Sequence, residues 1–286
     1  MRGSPYLTLA LAVLFVSVGA VLVRLAQAPP LAVAFFRVAF ASALISPFAI
    51  GAARRSWPTL LPRARFTVVL SGVALALHFA TWIASLSHTS IASSVLLVNT
   101  APLFAVVFSH LFLHERTPGV VMVAIPLALA GAGLIALGDW TGSPGTLQGS
   151  LLALAGAITL AAYHVIGRGL RGSLPLDAYV LAVWSSAALT LALLSLAFRV
   201  SLAGYPPRAW LVFLALAVVP TLGGHGLVNR SLRSLEAPTV GLFLLGEPLA
   251  ASLLAWLVFG EVPPPWTVYG GALVLGALAL VLLRRA

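Results

Sequence analysis

The sequence predicts an all-α membrane protein with ten transmembrane helices, arranged as two inverted five-helix repeats. Three observations predict this fold: the composition, the spacing of the apolar runs and an internal repeat. Of the 286 residues, 61% are hydrophobic and 8% are charged, whereas soluble domains are about 45–50% apolar and about 25% charged. So few charged residues cannot cover a soluble globule of this size. The composition therefore excludes a soluble enzyme, a nucleic-acid-binding protein and a disordered chain.

The apolar runs are separated by Arg, Pro and Gly residues, and each is long enough to cross a bilayer core, which takes about 20 residues. The first run ends in Ala26-Gln27-Ala28, which imitates a signal-peptide cleavage site, but it is too long for a signal peptide and we expect it to be retained. The gaps leave no room for an appended soluble domain. The predicted spans are about 6–27, 30–51, 66–87, 89–112, 117–138, 148–168, 175–198, 208–230, 236–259 and 264–283.

All sixteen basic residues are Arg, and most of them lie in the short breaks between spans. Short cytoplasmic loops collect positive charge. Arg199 and Arg208 fall on one side of the predicted bilayer, and Arg24 and Arg37 lie inside spans. Both termini are therefore expected to be cytoplasmic, in a bacterial inner membrane. The remaining twelve, all on the other side, are Arg2, Arg54, Arg55, Arg63, Arg65, Arg116, Arg168, Arg171, Arg230, Arg233, Arg284 and Arg285.

An internal repeat appears when the chain is shifted by 146 positions. Pro102 then falls on Pro248 and Glu115 on Glu261, without a gap. The repeat divides the chain into residues 1–140 and 146–286. Because five is odd, the second half enters the membrane from the opposite side, and such inverted repeats are typical of secondary transporters. The other matching positions are Ser85-Leu86 with Ser231-Leu232, Leu103 with Leu249, Ala105 with Ala251 and Pro118 with Pro264.

These features resemble the EamA-type members of the drug/metabolite transporter superfamily. The similarity rests on two five-helix halves, on a Pro-Leu-x-Ala segment followed by Glu thirteen residues after its Pro, and on Phe35-Phe36-Arg37. Within the superfamily the chain is most similar to bacterial exporters of aromatic and neutral amino acids. The second half departs from the pattern, because Ala182 stands roughly where a second Arg is expected.

A transporter must hold a polar solute at midplane depth, where polar side chains are costly unless they find partners. At a rise of 1.5 Å per residue, five polar residues lie roughly 15–18 Å into their spans. These five are Ser17, His78, Asn99, Thr159 and Glu247.

Glu247 is the only acidic residue predicted deep in the membrane. One interpretation is a structural carboxyl group at a helix kink; the other is a contact to a substrate ammonium group or a proton carrier. Arg37 lies about 10 Å below the outer end of its span. It either extends towards the interface or attracts a substrate carboxylate from the outer side of the cavity.

His78 and Trp82 are spaced i and i+4, so they share one helical face. They either line a cavity or serve as an interface tryptophan and a satisfied histidine. Asn99 appears in one half only, since Leu245 takes its place in the other; it contacts either substrate or a neighbouring helix. Tyr163 fits equally well as a gate or an interface anchor. We expect His78, Trp82, Asn99, Tyr163, Glu247 and Arg37 to bind substrate.

Pro102 and Pro248 are the expected hinges, because each removes an amide donor in corresponding segments of the two halves. Small residues predict close helix packing within a monomer, on span five and, through Ala272 and Gly276, on span ten. The span-five residues are Ala128, Ala132 and Ala136.

The sequence favours a secondary transporter that exports neutral and aromatic amino acids by alternating access. The alternative is a broad exporter of hydrophobic drugs or other metabolites, whose pocket would be almost wholly apolar. An intramembrane enzyme is not expected, because paired acids and cysteine are lacking. The expected partners are a small-molecule substrate and the lipid bilayer. No nucleic acid, no cofactor and no metal is expected.

Overall fold

The structure, a computed structural model, describes residues 5–114, 119–142, 146–170, 174–231 and 243–283. These residues are helical and contain no β-strand. Seven helical stretches are long and apolar enough to cross a membrane, and three shorter apolar helices accompany them. The helices are α1 (Pro5–Leu25), α2 (Pro30–Ser56), α3 (Pro62–Ser85), α4 (Ile91–Val98), α5 (Ala101–Leu113), α6 (Gly119–Gly142), α7 (Thr146–Gly169), α8 (Leu176–Ala197), α9 (Pro207–Leu216), a π-helical segment (Ala217–His225), α10 (Gly226–Ser231), α11 (Gly246–Phe259) and α12 (Pro265–Leu283).

Proline marks many of the helix starts. Pro30, Pro62 and Pro207 each open a helix, where the missing N–H would have no partner within the helix in any case. Helix α2 continues past the predicted span, to Ser56. Of the predicted repeat, Glu115 lies outside the described residues, as do Pro118 and Leu232.

Two of the predicted spans are interrupted at their centres. The fourth is broken at Asn99 and Thr100, between α4 and α5, and Pro102 follows in the first turn of α5. The eighth passes through the π-helical segment, which contains Pro220. Single π turns within α-helices are often found at functional sites. Both interruptions leave backbone groups for side chains to satisfy.

Helices from the two parts of the chain pack on each other in a reciprocal pattern. Helix α3 packs on α7, and α1 packs on α9 and the π-helical segment. Helix α7 packs on α4 and α5, whereas α1 packs on α11. A shift of 146 residues carries α1 onto α7, α5 onto α11, and α3 onto α9 with the π-helical segment and α10. The main contacts of one part therefore have counterparts in the other.

Helices α6 and α12 approach each other closely at a pair of glycines. A Cβ atom on Gly131 would lie 2.6 Å from the Gly270 carbonyl oxygen, and one on Gly270 would lie 2.5 Å from the Gly131 carbonyl oxygen. Only glycine permits this contact. Ala128 and Ala132 are buried there as expected. The prediction for span ten was wrong: Ala272 and Gly276 are exposed, because α12 is apolar all round and packs through another face.

The bundle has two ends, which we call the near end and the far end. Helix α1 begins at the near end and finishes at the far end. The far end also holds the turn between α3 and α4, where Gly149 of α7 lies against Thr89. It holds the end of α11 as well, because Glu261 forms an ion pair with Arg24.

Candidate functional site

Arg37 on α2 is the most deeply buried charge in the described part of the chain, with 3% of its surface exposed. Its guanidinium carbon lies 4.4 Å from the centre of the Phe79 ring and 5.7 Å from that of the Trp82 ring, both on α3. A cation over an aromatic face is stabilised electrostatically. The contacts hold Arg37 inside the bundle, so its side chain does not extend to the interface.

Thr221 in the π-helical segment fixes the other side of Arg37. Its hydroxyl accepts a hydrogen bond of 2.8 Å from Arg37 Nε and donates one of 2.8 Å to the Leu216 carbonyl. The preceding Pro220 has no N–H to donate. The irregular turn thus frees a carbonyl for Thr221. Sequence reasoning missed Thr221, although Pro-Thr inside an apolar run was the available signal.

His78 and Trp82 stack on α3, with ring centres 6.0 Å apart and planes within 3°. The Nδ1 of His78 lies 2.9 Å from the Gly156 carbonyl oxygen on α7. Because a carbonyl only accepts, Nδ1 carries a proton, and Nε2 is left as the second polar atom of the ring. Both side chains are buried. Neither side chain is therefore exposed as a residue of an interface belt would be.

Glu247 lies in the first turn of α11, at the level of the break between α4 and α5. The Asn99 amide is a side-chain hydrogen-bonding neighbour of its carboxyl group. The Nδ2 of Asn99 also donates a hydrogen bond of 2.9 Å to the Val95 carbonyl oxygen. The Ser17 hydroxyl on α1 lies 3.3 Å from the Glu247 backbone carbonyl oxygen. Three helices therefore converge at Glu247, and Glu247 and Asn99 remain only half-buried.

Arg37 and Glu247 lie within electrostatic reach of each other but form no ion pair. Each acts electrostatically on the other, yet the described residues form one ion pair within 4.0 Å, and it joins Arg24 to Glu261. A positive group from the first part of the chain and a negative group from the second thus act on each other from more than contact distance.

Two buried hydrogen-bond donors at this site, one of them on Arg37, lack partners. They are Nη1 of Arg37 and Nε1 of Trp82, which are buried and form no hydrogen bond. An unsatisfied buried donor costs about 1–3 kcal/mol. This pair of donors is suited to an incoming acceptor such as a carboxylate.

The near-end side of this site carries imidazoles. His164 in the last turns of α7 and His225 at the end of the π-helical segment act electrostatically on each other and on His78. Both are exposed. Tyr163 is half-buried, and its ring lies 5.2 Å from that of His164. The interior polar groups thus continue towards the near end.

The structure brings together most of the predicted site residues. We call Arg37, His78, Trp82, Asn99 and Glu247 the central cluster. Tyr163 lies on its near-end side, and Thr159 bonds only to carbonyls of its own helix. Pro102 and Pro248 each stand in the first turn of a helix, Pro102 in α5 after the break at Asn99 and Pro248 in α11. Among the described residues, no group of three or more His, Asp or Glu side chains is arranged to hold a metal ion.

An interior polar cluster in a multi-pass helical bundle is typical of a membrane transporter. The EamA-like transporter family model matches residues 3–137 and 147–283. The chain belongs to the EamA-like transporter family.

Relatives of known description agree with this class. The chain is 28% identical to a pseudopaline exporter of Pseudomonas aeruginosa, over 88% of this chain and 86% of the relative. It is 28% identical to a probable terminal-alkyne amino-acid exporter of Streptantibioticus cattleyicolor, over 68% of this chain and 65% of the relative's length. A crystal structure that is 22% identical matches 100% of this chain and 99% of its own with a TM-score of 0.66. The last comparison supports the fold alone.

Proposed function

We propose that the protein exports small zwitterionic metabolites, of which neutral and aromatic amino acids fit best. The observation that carries this proposal is the facing pair of unlike charges, Arg37 and Glu247, which act on each other without forming an ion pair. An α-amino acid carries one charge of each sign on adjacent atoms. A carboxylate between Arg37 and Trp82 and an ammonium group at Glu247 and Asn99 complement both.

The aromatic side chains beside these charges suit the rest of an amino acid. Phe79 and Trp82 flank Arg37, and His78 stacks on Trp82. An aromatic ring packed there gains from burial of apolar area, at about 25 cal/mol per Å², and from ring stacking. A wholly apolar drug leaves the two charges and the free donors unsatisfied, which disfavours the alternative of a hydrophobic-drug exporter.

Transport proceeds by alternating access between two inverted five-helix repeats, residues 1–140 and 146–286, in ten spans. The reciprocal packing of α1 with α9 and of α3 with α7 supports this arrangement. Arg37 belongs to one repeat and Glu247 to the other, so rocking of the repeats changes the distance between the charges. Pro102 and Pro248 are the hinges, at the interruptions beside the site.

The far end faces the outside of a bacterial inner membrane, and both termini face the cytoplasm. The distribution of Arg residues supports this orientation. A reporter active only in the periplasm, fused after Ala286, is expected to be silent.

Proteoliposomes test the function directly. Vesicles preloaded with unlabelled phenylalanine are expected to accumulate labelled phenylalanine by counterflow, without added nucleotide. Excess phenethylamine, 3-phenylpropionate or a lipophilic cation in the external buffer serves as competitor. Stronger competition by the lipophilic cation than by phenylalanine itself, or no counterflow with any of a panel of amino acids, contradicts the proposal.

A further inference from the structure

A second arginine, Arg24 on α1, holds the far end of the bundle together. Each of its three side-chain nitrogens contacts a protein acceptor. Its Nε donates a hydrogen bond of 3.1 Å to the Leu86 carbonyl oxygen, and its Nη2 donates one of 2.6 Å to the Thr89 carbonyl oxygen. Its Nη1 forms an ion pair with the carboxylate of Glu261. The end of α1 is thereby attached to the turn between α3 and α4 and to the end of α11.

Glu261 attaches one further element. Its second carboxylate oxygen accepts a hydrogen bond of 2.6 Å from the backbone N–H of Ile91, the first residue of α4. Negative charge at a helix N-terminus is favourable. Gly260 directs the chain to this position, because it takes the left-handed conformation (φ +68) that ends α11. One carboxylate from the second half of the chain thus joins α1 and α4 of the first half.

A cavity of about 610 Å³ adjoins this network. Arg24, Gln27 and Ser87 supply its polar lining, and Phe259 closes the side of α11. Ile83 lines it as well, and Ile83 follows Trp82 of the central cluster along α3. The cavity, which we call the vestibule, therefore lies at the far end, with a lining residue directly next to Trp82 in the sequence.

We propose that the Arg24–Glu261 pair is the far-end gate of the transporter, closed in this conformation, and that its opening joins the central cluster to the vestibule. The proposal rests on alternating access and on the proposed orientation, in which the far end faces outside, but on no particular substrate. The side chains of Arg24 and Glu261 are 26% and 18% exposed. A partly solvated ion pair separates without leaving a charge dry in the interior. Reversible opening requires that property.

The far end is closed by contacts between the two halves of the chain, and alternating access opens one end at a time. Breaking the pair therefore has a directional consequence: access from the far end increases, and access from the near end decreases.

Single cysteines report that consequence without substrate, since the chain has no native cysteine. Asn99→Cys reports the central cluster, and His225→Cys reports the near-end side. Each is placed in the wild-type and Glu261→Gln backgrounds and labelled with a membrane-impermeant maleimide, in intact cells and in inverted vesicles. The amide oxygen of Glu261→Gln still accepts from Ile91, so the charge is the main change.

We expect Glu261→Gln to raise labelling of Asn99→Cys in intact cells by fivefold or more, and to lower labelling of His225→Cys in inverted vesicles. Arg24→Lys keeps the charge but loses the carbonyl contacts, and it is expected to shift both rates in the same directions by a smaller factor. Arg208→Gln, an exposed far-end arginine, is the matched control and leaves both rates unchanged.

Unchanged rates in Glu261→Gln and Arg24→Lys overturn the gate. Equal increases at both reporters also overturn it, because they indicate loosened packing. If the rates shift in opposite directions although no amino acid is transported, the gate stands and the proposed substrate fails.

Discussion

Arg24 and Arg37 lie on the consecutive helices α1 and α2 and have opposite surroundings. Arg24 at the far end has a protein partner for every nitrogen. Arg37 at the centre has the Thr221 hydroxyl and two aromatic rings, and its Nη1 is unpaired. A membrane arginine whose donors are all satisfied by the protein holds helices together. One whose donor is left over is placed to bind something else.

The acidic residues repeat the contrast. Glu261 pairs with Arg24 and caps α4, so both of its oxygens are engaged. Glu247 has the Asn99 amide beside it and stays half-buried, out of contact with Arg37. The same two residue types thus form a closed contact at one level of the bundle and an open one at another. Substitutions at the two levels should therefore have different effects.

The largest effect is expected for Arg37→Gln. It removes a charged donor, and hydrogen bonds to charged groups contribute about 1.5–3 kcal/mol, so phenylalanine affinity should fall by about 10- to 100-fold. Arg24→Gln should leave the affinity within about twofold while slowing transport. Equilibrium binding and counterflow in the same vesicles separate the two. Equal losses of affinity for both variants would remove the distinction between the arginines.

Glu247→Gln should lower phenylalanine affinity by about tenfold, within the range for one charge-assisted contact. Binding of 3-phenylpropionate, which lacks the ammonium group, should not weaken. Competition assays with both compounds measure the difference. If phenylalanine affinity and the pH dependence of transport are untouched, Glu247 is a structural group.

A smaller effect is expected for Trp82→Phe, which keeps an aromatic ring against Arg37 and His78 but removes the unpaired indole N–H. One hydrogen bond of about 0.5–1.5 kcal/mol corresponds to about 2- to 12-fold in affinity. Phenethylamine, which lacks a carboxylate, serves as the control ligand. An equal loss for phenethylamine would assign Trp82 to packing alone.

The smallest effect on affinity is expected for Pro102→Ala and Pro248→Ala. Each restores an amide donor at a helix interruption, so turnover should fall by about two- to threefold while substrate affinity stays constant. The initial rate of counterflow measures turnover, and equilibrium binding measures substrate affinity. Unchanged turnover in the double variant would exclude both prolines from the motion.

The sequence predicted the helices better than their interruptions and partners. Long apolar runs ended by proline predict spans because bilayer thickness fixes their length. The break at Asn99 and the π turn at Pro220 lie within such runs, and composition does not show them. Span ten illustrates another limit: α12 is apolar on every side, so no periodicity identifies its packing face, and Ala272 was assigned wrongly.

The candidate site was predicted by depth, whereas its contacts were not. Arg37, His78 and Glu247 were chosen because polar side chains at midplane depth require a reason. Thr221 was missed, since its one sequence signal, the Pro-Thr pair inside an apolar run, does not show which side chain the hydroxyl meets. The Arg24–Glu261 pair was also missed, because its members are 237 positions apart and only the packing of α1 on α11 brings them together.

The central claim is that Arg37 recognises the carboxylate of the substrate. The most direct measurement compares the affinities of phenylalanine and phenethylamine for wild type and Arg37→Gln in lipid nanodiscs. The substitution should weaken phenylalanine binding by tenfold or more and leave phenethylamine binding within about twofold. Equal weakening of both ligands would contradict the claim, because it would show that Arg37 supports the fold of the cavity and does not contact the carboxylate.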